Sequence, residues 1–457
     1  MKKMTRRAML MSSAAVAGSV KTLSAANAQP ASLGPDALKS TLTPLGGIRA
    51  GNAEGTIPAW TGELIPFPAD YQSGAPRPDP FADEKPILTI TSANMAAYQD
   101  KLANGAIELL QRFPDYRIDV YPTHRTAIAP QYVYDNTYKN AANAQIAPDG
   151  NSISGAYGGI PFPIPTTGKQ VMWNHLLAWK GTTIYNPISS YQVTSSGQKI
   201  NRATGHLKQQ YPYYFEGEEA SFDGIYEQIQ IVVAGPAYEE GSAQLILQQV
   251  NPIQNPTRAW AYLPGERRTR LAPELQYDTP IDVAGGVANF DEAHMFSGPL
   301  DEYDCKLLGK KEMYVPYNMN TAWATPVDQQ FGAHFYNPDI TRWELHRVWV
   351  VEMTLAAGKR NVDVKRLMYL DEDVWSALLC DIYDASGTLW KFMTTNPGLA
   401  SDIPCQVAAE FQVVYDFHAG DYAALGVPIA PHQWAAIPRL PASYFTAGEL
   451  AALAGNN

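Results

Sequence analysis

Residues 342–395 read "RWELHRVWVVEMTLAAGKRNVDVKRLMYLDEDVWSALLCDIYDASGTLWKFMTT", and their period decides the fold. Apolar, β-branched and aromatic residues fill runs of strand length, and each run stops at turn-forming residues. "RWELHRVWVVEMTL" is a long strand, "AAGKR" turns it, and "NVDVKRLMYL" returns. "DED" leads to "VWSALLCDIY", "DASG" turns again, and "TLWKFMTT" runs back. Connections this short join antiparallel neighbours, because a parallel crossover needs a dozen or more residues. The stretch is a meander of at least four strands, and "FQVVYDF" (411–417) extends it.

Upstream, "IYEQIQIVVAG", "AQLILQQV" and "TRAWAYLPGERRTRL" (257–271) repeat the pattern. In the last, Pro264-Gly265-Glu266 supplies a hairpin turn. A two-residue side-chain period puts Arg258, Trp260 and Tyr262 on one face and Ala259, Ala261 and Leu263 on the other. The arginines beyond the turn alternate, so Arg258, Arg267, Arg268 and Arg270 do not converge on one anion. They read as a solvated hairpin edge whose stems cover aromatic rings.

The rest is more punctuated. Residues 29–90 are rich in Pro, Gly, Ala and Ser and read as an extended arm, with Trp60, Phe67, Tyr71 and Phe81 as anchors. Ser92 then caps a helix whose apolar face is Met95, Tyr98, Leu102, Ala106, Leu109 and Phe113, ended by Pro114. A short helical piece follows around Trp173–Trp179. Thr446 and Glu449 fit a capping box before "LAAL", so a short helix closes the chain. Four parts result: an export signal (1–28), the arm (29–90), a helical and loop-rich segment completing the fold (91–222), and the antiparallel sheet with its C-terminal helix (223–457).

The signal is read from "MKKMTRRAMLMSSAAVAGSV", a basic start followed by a short apolar stretch, and from "ANA" at 26–28, which makes Gln29 the expected first mature residue. Thr5-Arg6-Arg7-Ala8-Met9-Leu10 resembles the twin-arginine signal that exports folded proteins. An ordinary secretory signal holding two arginines is the other reading, and both take the protein out of the cytoplasm. Later segments hold no apolar run long enough to cross a bilayer.

The chain carries 34 Lys+Arg against 45 Asp+Glu, a formal charge of −11. Such an acidic balance argues against nucleic acid as partner. Cys305, Cys380 and Cys405 allow at most one internal disulfide, so a hydrophobic core must hold the fold.

Motifs for chemistry are weak. The eight histidines lack metal-ligand spacing. "FDEAH" groups Asp291, Glu292 and His294, which read as a polar loop. Glu216, Glu218, Glu219 and Asp223 lack the spacing of a calcium loop and read as an exposed acidic turn. "GNSIS" (150–154) lacks the closing Gly of a nucleophile elbow. Without a P-loop or G-x-G-x-x-G, no nucleotide is expected, nor any other cofactor. The 10 Trp, 26 Tyr and 14 Phe are more informative. They either pack a core or line a cavity on a curved sheet.

"LTPLGGIRAGNAEGTIPAWTGEL", "IPFPIPTTGKQVMWNHL", "GPLDEYDCKLLGKKEMYVPYN" and the 342–375 region resemble an exported bacterial family known as domain of unknown function 1329. Within it, "WAYLPGERRTRL" is similar to a strand-turn-strand of the lipoprotein-sorting carriers LolA and LolB. The resemblance implies a β-rich α+β fold: a large curved, unclosed antiparallel sheet wrapping helices, with the Pro/Gly-rich arm added. It also implies a periplasmic setting beside resistance-nodulation-division exporters and an outer-membrane protein family. The first ~200 residues have no counterpart in the shorter carriers, and the resemblance supplies no catalytic residues.

Three functions follow as expectations. The first is a non-catalytic periplasmic carrier or chaperone for a lipid or another hydrophobic compound, with Trp260, Tyr262, Trp343 and Trp349 as ligand-binding candidates on the concave face. The second is a docking subunit of an envelope export complex. The third is a glycan-active enzyme drawing on Asp371, Glu372, Asp373, Asp381 and Asp384, since glycosidases pair two acids. The hairpin gives a test. Arg267→Ala/Arg268→Ala should leave the melting temperature nearly unchanged, because exposed ion pairs contribute under ~1 kcal/mol each. Trp260→Ala should cost roughly 3–5 kcal/mol if its ring is core. A larger loss from the arginine pair would make those residues buried structure.

Overall fold

A computed structural model describes residues 33–275, 277–429 and 434–455; the expected export signal lies outside the described residues. Most of the strands join one large unclosed sheet, and nearly every pairing is antiparallel. In chain order the strands are β1 (Leu88–Ile90), β2 (Ile118–Val120), β3 (Gln145–Ile146), β4 (Ile153–Ser154), β5 (Thr183–Val193) and β6 (Lys199–Gln210). Next come β7 (Ile225–Gly235), β8 (Ala243–Gln249), β9 (Arg258–Leu263), β10 (Arg268–Leu271), β11 (Tyr303–Pro316) and β12 (Trp343–Leu355). The meander and its extension are β13 (Lys365–Asp371), β14 (Ala377–Tyr383), β15 (Leu389–Thr395), β16 (Gly398–Ala400), β17 (Cys405–Val407), β18 (Gln412–Asp416), β19 (Tyr422–Pro428) and β20 (Ala435–Ala436). Neighbours run β11-β12-β13-β14-β15-β18-β19-β5-β6-β7-β8-β9-β10. β3–β4 and β16–β17 are separate small hairpins.

The meander read from the sequence is therefore β12 to β15, continued by β18. β5 and β6 join its two halves into one sheet. Pro187 lies inside β5, a position that ordinarily argues against a central strand. Here it falls between two partners on one edge: β19 pairs as far as Ile188 and β20 begins opposite Tyr185.

Among the described residues there are five α-helices: α1 (Asn104–Arg112), α2 (Gln131–Asn143), α3 (Gly168–Leu176), α4 (Asn320–Ala324) and α5 (Ala447–Gly455). α3 opens on a complete Thr167/Gln170 capping box. At α5, Thr446 Oγ1 accepts from the Glu449 N–H at 3.2 Å. The single helix expected after Ser92 is divided. Met95–Lys101 is a 3-10 helix, Leu102 and Ala103 are extended, and α1 follows. The break has a tertiary cause. Asp381 of β14 accepts from the N–H of Asn104 (3.0 Å) and of Gly105 (2.8 Å), so a carboxylate from the sheet caps a helix start that has no local cap.

That cap draws α1 close to β15. A Cβ at Gly105 would lie 2.1 Å from the Phe392 ring, which is fully buried. Gly105→Ala sets a helix-propensity gain of about 1 kcal/mol against overpacking of about 1–3 kcal/mol. Phe392 has no room to move, so overpacking wins. The variant should melt below the parent in urea, whereas a higher midpoint would mean that α1 does not sit on Phe392.

Candidate functional site

Strict alternation gives the sheet around β7–β9 two different faces. In register, Ile229 faces Ile246 and Ile246 faces Ala259, while Leu245 pairs with Trp260 and Ala243 with Tyr262. The Leu245–Trp260 face is covered by the chain's end: Phe445, Leu450 and Ala454 pack there with Tyr262, Leu245 and Leu247. The opposite face carries the Ile229, Ile246 and Ala259 cluster with Ile231 and Leu275.

On this second face lies a cavity of about 590 Å³, spread over β5 to β9 and β19 and bordered by the loop 279–299. Ile188, Leu207, Ile229, Ile231, Ile246 and Leu275 supply its apolar wall. Its volume falls in the range of roughly 300–1,000 Å³ usual for small-molecule sites, and polar side chains such as Ser189, His206 and Gln244 share the lining with the apolar wall.

The hairpin at Pro264-Gly265-Glu266 forms as expected, β9 pairing β10 through Leu263↔Arg268. Its two rings lie on the face toward the C-terminal segment. The half-buried Trp260 lies under the C-terminal segment, as does Tyr262, which also touches the cavity margin. Ala259, Ala261 and Leu263 take the cavity's face. Local alternation separated the two sets correctly, but which set turned inward depended on α5, whose sequence is nearly 200 residues away. Trp343 is 2 % exposed at the start of β12, between Val120 and Pro316. Trp349 stacks on Trp375, ring centres 6.1 Å apart, with Lys310 Nζ 4.4 Å from its ring. Neither lines the cavity, so the four candidates are not brought together. The arginines behave as an edge: Arg268 pairs with exposed Glu266, and Arg270 with Glu274.

The meander's acids are also committed elsewhere. Asp373 and Glu372 bind Arg125, Glu372 also meets Lys310 and Arg347, and Asp371 accepts from the N–H of Asp373 and Val374. Asp381 caps α1, and Asp384 closes the turn to Ser386 and Thr388. None of the five lines the cavity. Glu216 to Asp223 form an exposed turn around a short 3-10 helix, and among the described residues no His/Cys/Asp/Glu group is arranged to hold a metal. All three cysteines are free.

"FDEAH" is no solvated loop. Arg366 Nη2 donates to Asp291 and Asp363, both at 2.7 Å, and Lys391 Nζ to Glu292 at 2.5 Å; all five side chains are almost fully buried. Burial pushes the Glu292 carboxyl up, to about 8, against the pull of Lys391. The clamp fixes the loop that continues into the cavity border. Beyond it, His294 and Met295 hold left-handed backbone at φ 54 and 72. Gln412 locks this turn by accepting from Met295 N–H (3.0 Å) and donating to Glu292 C=O (3.0 Å).

His294 and Glu410 then stand together in the lining of the cavity. His294 Nδ1 lies 3.3 Å from the Ala409 carbonyl and 3.6 Å from Glu410 Oε1, and Lys180 Nζ is 3.1 Å from the same oxygen. Burial raises the Glu410 carboxyl, but His294 and Lys180 outweigh it and hold it below the usual carboxylate range. These residues are more than 100 positions apart, and no local spacing marks them in the sequence.

The described residues thus form a large unclosed, mostly antiparallel sheet with one face covered by the C-terminal segment and a cavity on the other. Residues 89–451 match the family described as "Protein of unknown function (DUF1329)". The "Uncharacterized protein PA3922" of Pseudomonas aeruginosa is 35% identical over 400 residues, covering 85% of this chain and 86% of that protein. The chain belongs to the DUF1329 family. Solved structures similar to it include a DUF1329 family protein from Desulfovibrio piger, 16% identical with TM-score 0.38, covering 59% of this chain and 92% of that one. Another is the LolA superfamily protein NE2245 from Nitrosomonas europaea, 12% identical with TM-score 0.35, covering 62% and 98%. Among the described residues no helix is long and apolar enough to cross a membrane.

The clamp can be tested directly. Arg366→Met leaves Asp291 and Asp363 buried without their cation and should cost about 3–5 kcal/mol in urea unfolding. Adding Asp363→Asn to that variant should recover part of the loss, because coupled neighbours are not additive. Additive losses would mean the three groups do not share one site.

Proposed function

We propose that this protein is a non-catalytic carrier or chaperone of the periplasm that shelters a lipid or another hydrophobic compound. The observation that carries this reading is the apolar cavity between β5–β9 and the 279–299 loop. An apolar surface held away from the sheet's packed core gains little unless a ligand covers it, and burying such a ligand contributes roughly 25 cal/mol per Å². The N-terminal sequence, read as an export signal, supports the periplasmic setting. A carrier there could serve an envelope exporter of the resistance-nodulation-division type and an outer-membrane protein. The docking reading calls for a filled interior, so the cavity favours the carrier.

Protein purified from the periplasm should release a hydrophobic compound on solvent extraction, seen as an added mass in native mass spectrometry. Emptied protein should take up N-phenyl-1-naphthylamine with a rise in fluorescence. Ala261→Trp places an indole on the cavity's face and should abolish uptake while the melting temperature stays close to the parent's. No extracted compound together with no dye uptake by the parent would sink the carrier reading.

A further inference from the structure

Among the polar groups lining the cavity are His294 and Glu410, whose chemistry selects among amphiphiles. The Ala409 carbonyl is only an acceptor, so its contact with His294 Nδ1 puts the ring proton on Nδ1. In the neutral ring Nε2 is then an acceptor, and it has no hydrogen bond among the described residues. Glu410 Oε2 is buried without a hydrogen bond among the described residues, with the Gln209 side chain as its polar neighbour. Three non-glycine residues with left-handed backbone, His294, Met295 and Ala409 (φ 54, 72 and 66), meet here. Such strain collects where a side chain must be aimed.

Charge narrows the choice further. Glu239, Glu274, Asp282 and Glu410 all line the cavity, and its one arginine, Arg270, is taken by Glu274 at 2.9 Å. An anionic head group would meet carboxylates with no free partner. Lys180 Nζ lies 3.1 Å from Glu410 and is the site's closest cation. We infer that the cavity takes an uncharged amphiphile bearing a hydroxyl group, its apolar body along Ile229, Ile231 and Ile246 and its hydroxyl donating to His294 Nε2. This rests on the carrier reading of the same cavity and adds the chemical class of the ligand.

Competition against bound N-phenyl-1-naphthylamine tests it, with 1-dodecanol, dodecanoate and dodecylammonium as probes of one chain length. The parent should bind dodecanol at least tenfold more tightly than dodecanoate. His294→Phe keeps an aromatic ring without an acceptor and should weaken dodecanol roughly three- to tenfold, the worth of one hydrogen bond, while dye affinity is retained. His294→Asn, a residue that tolerates left-handed backbone, guards against a folding failure of the Phe variant and should also lower the preference for the alcohol. Equal or tighter binding of dodecanoate by the parent overturns the inference. So does a dodecanol preference that survives both substitutions, or dodecylammonium binding tighter than dodecanol, which would put charge in control. If the parent binds no dye at all, the carrier reading itself fails and takes this inference with it.

Discussion

Everything at the cavity hangs on charge buried between the sheet and the loop laid across it. Arg366 of β13 faces Ile382 of β14, which faces Lys391 of β15, so the two cations stand in one row on one face of the sheet. Asp291 and Glu292, adjacent on the loop, meet that row. Desolvating such groups costs several kcal/mol per ion, and only close partners offset it. The pairing therefore admits one register of loop on sheet. A shift by a residue would leave at least two charges buried and alone. With Asp291 and Glu292 fixed, His294 has no freedom to leave the cavity, and Gln412 holds the turn between them from the same face.

The apolar half of the site follows from a simpler rule. Along β8, odd positions (Leu245, Leu247) pack beneath the C-terminal segment and even ones (Gln244, Ile246) face the cavity. One strand thus supplies a closed core and an open wall with the same two-residue period. α5 seals one side because its Leu450 and Ala454 need burial as much as the strand does. The loop 279–299 is held by ion pairs rather than by apolar packing alone, which leaves room beneath it.

Much of the fold was legible. β12 to β15 and the hairpin at Pro264-Gly265-Glu266 lie where period and turn residues put them, because each is decided by neighbours within a few residues. β5 and β6 were not read as strands: Pro187 and Gly205 are features of loops, and their use depends on partners β20 and β7. A Cβ at Gly205 would come within 2.2 Å of the Val232 carbonyl, a closeness no sequence pattern announces. β11 was missed for another reason, since Lys306, Lys310 and Lys311 mark a protected edge more than a strand. The site was least legible. Trp260 and Tyr262 were placed on one face correctly, yet the choice of face belonged to α5. His294 and Glu410 meet only through the clamp, and Trp343 and Trp349, singled out for their size, serve packing elsewhere in the sheet.

The central claim is that an apolar ligand occupies the cavity with its polar end at His294. A crystal of the protein with 12-bromododecan-1-ol would locate the bromine by anomalous scattering. The bromine should appear against the isoleucine wall of Ile229, Ile231 and Ile246, with the hydroxyl oxygen within hydrogen-bond distance of His294 Nε2. A bromine peak beneath α5 or on the outer surface, or none at saturating ligand, would contradict it.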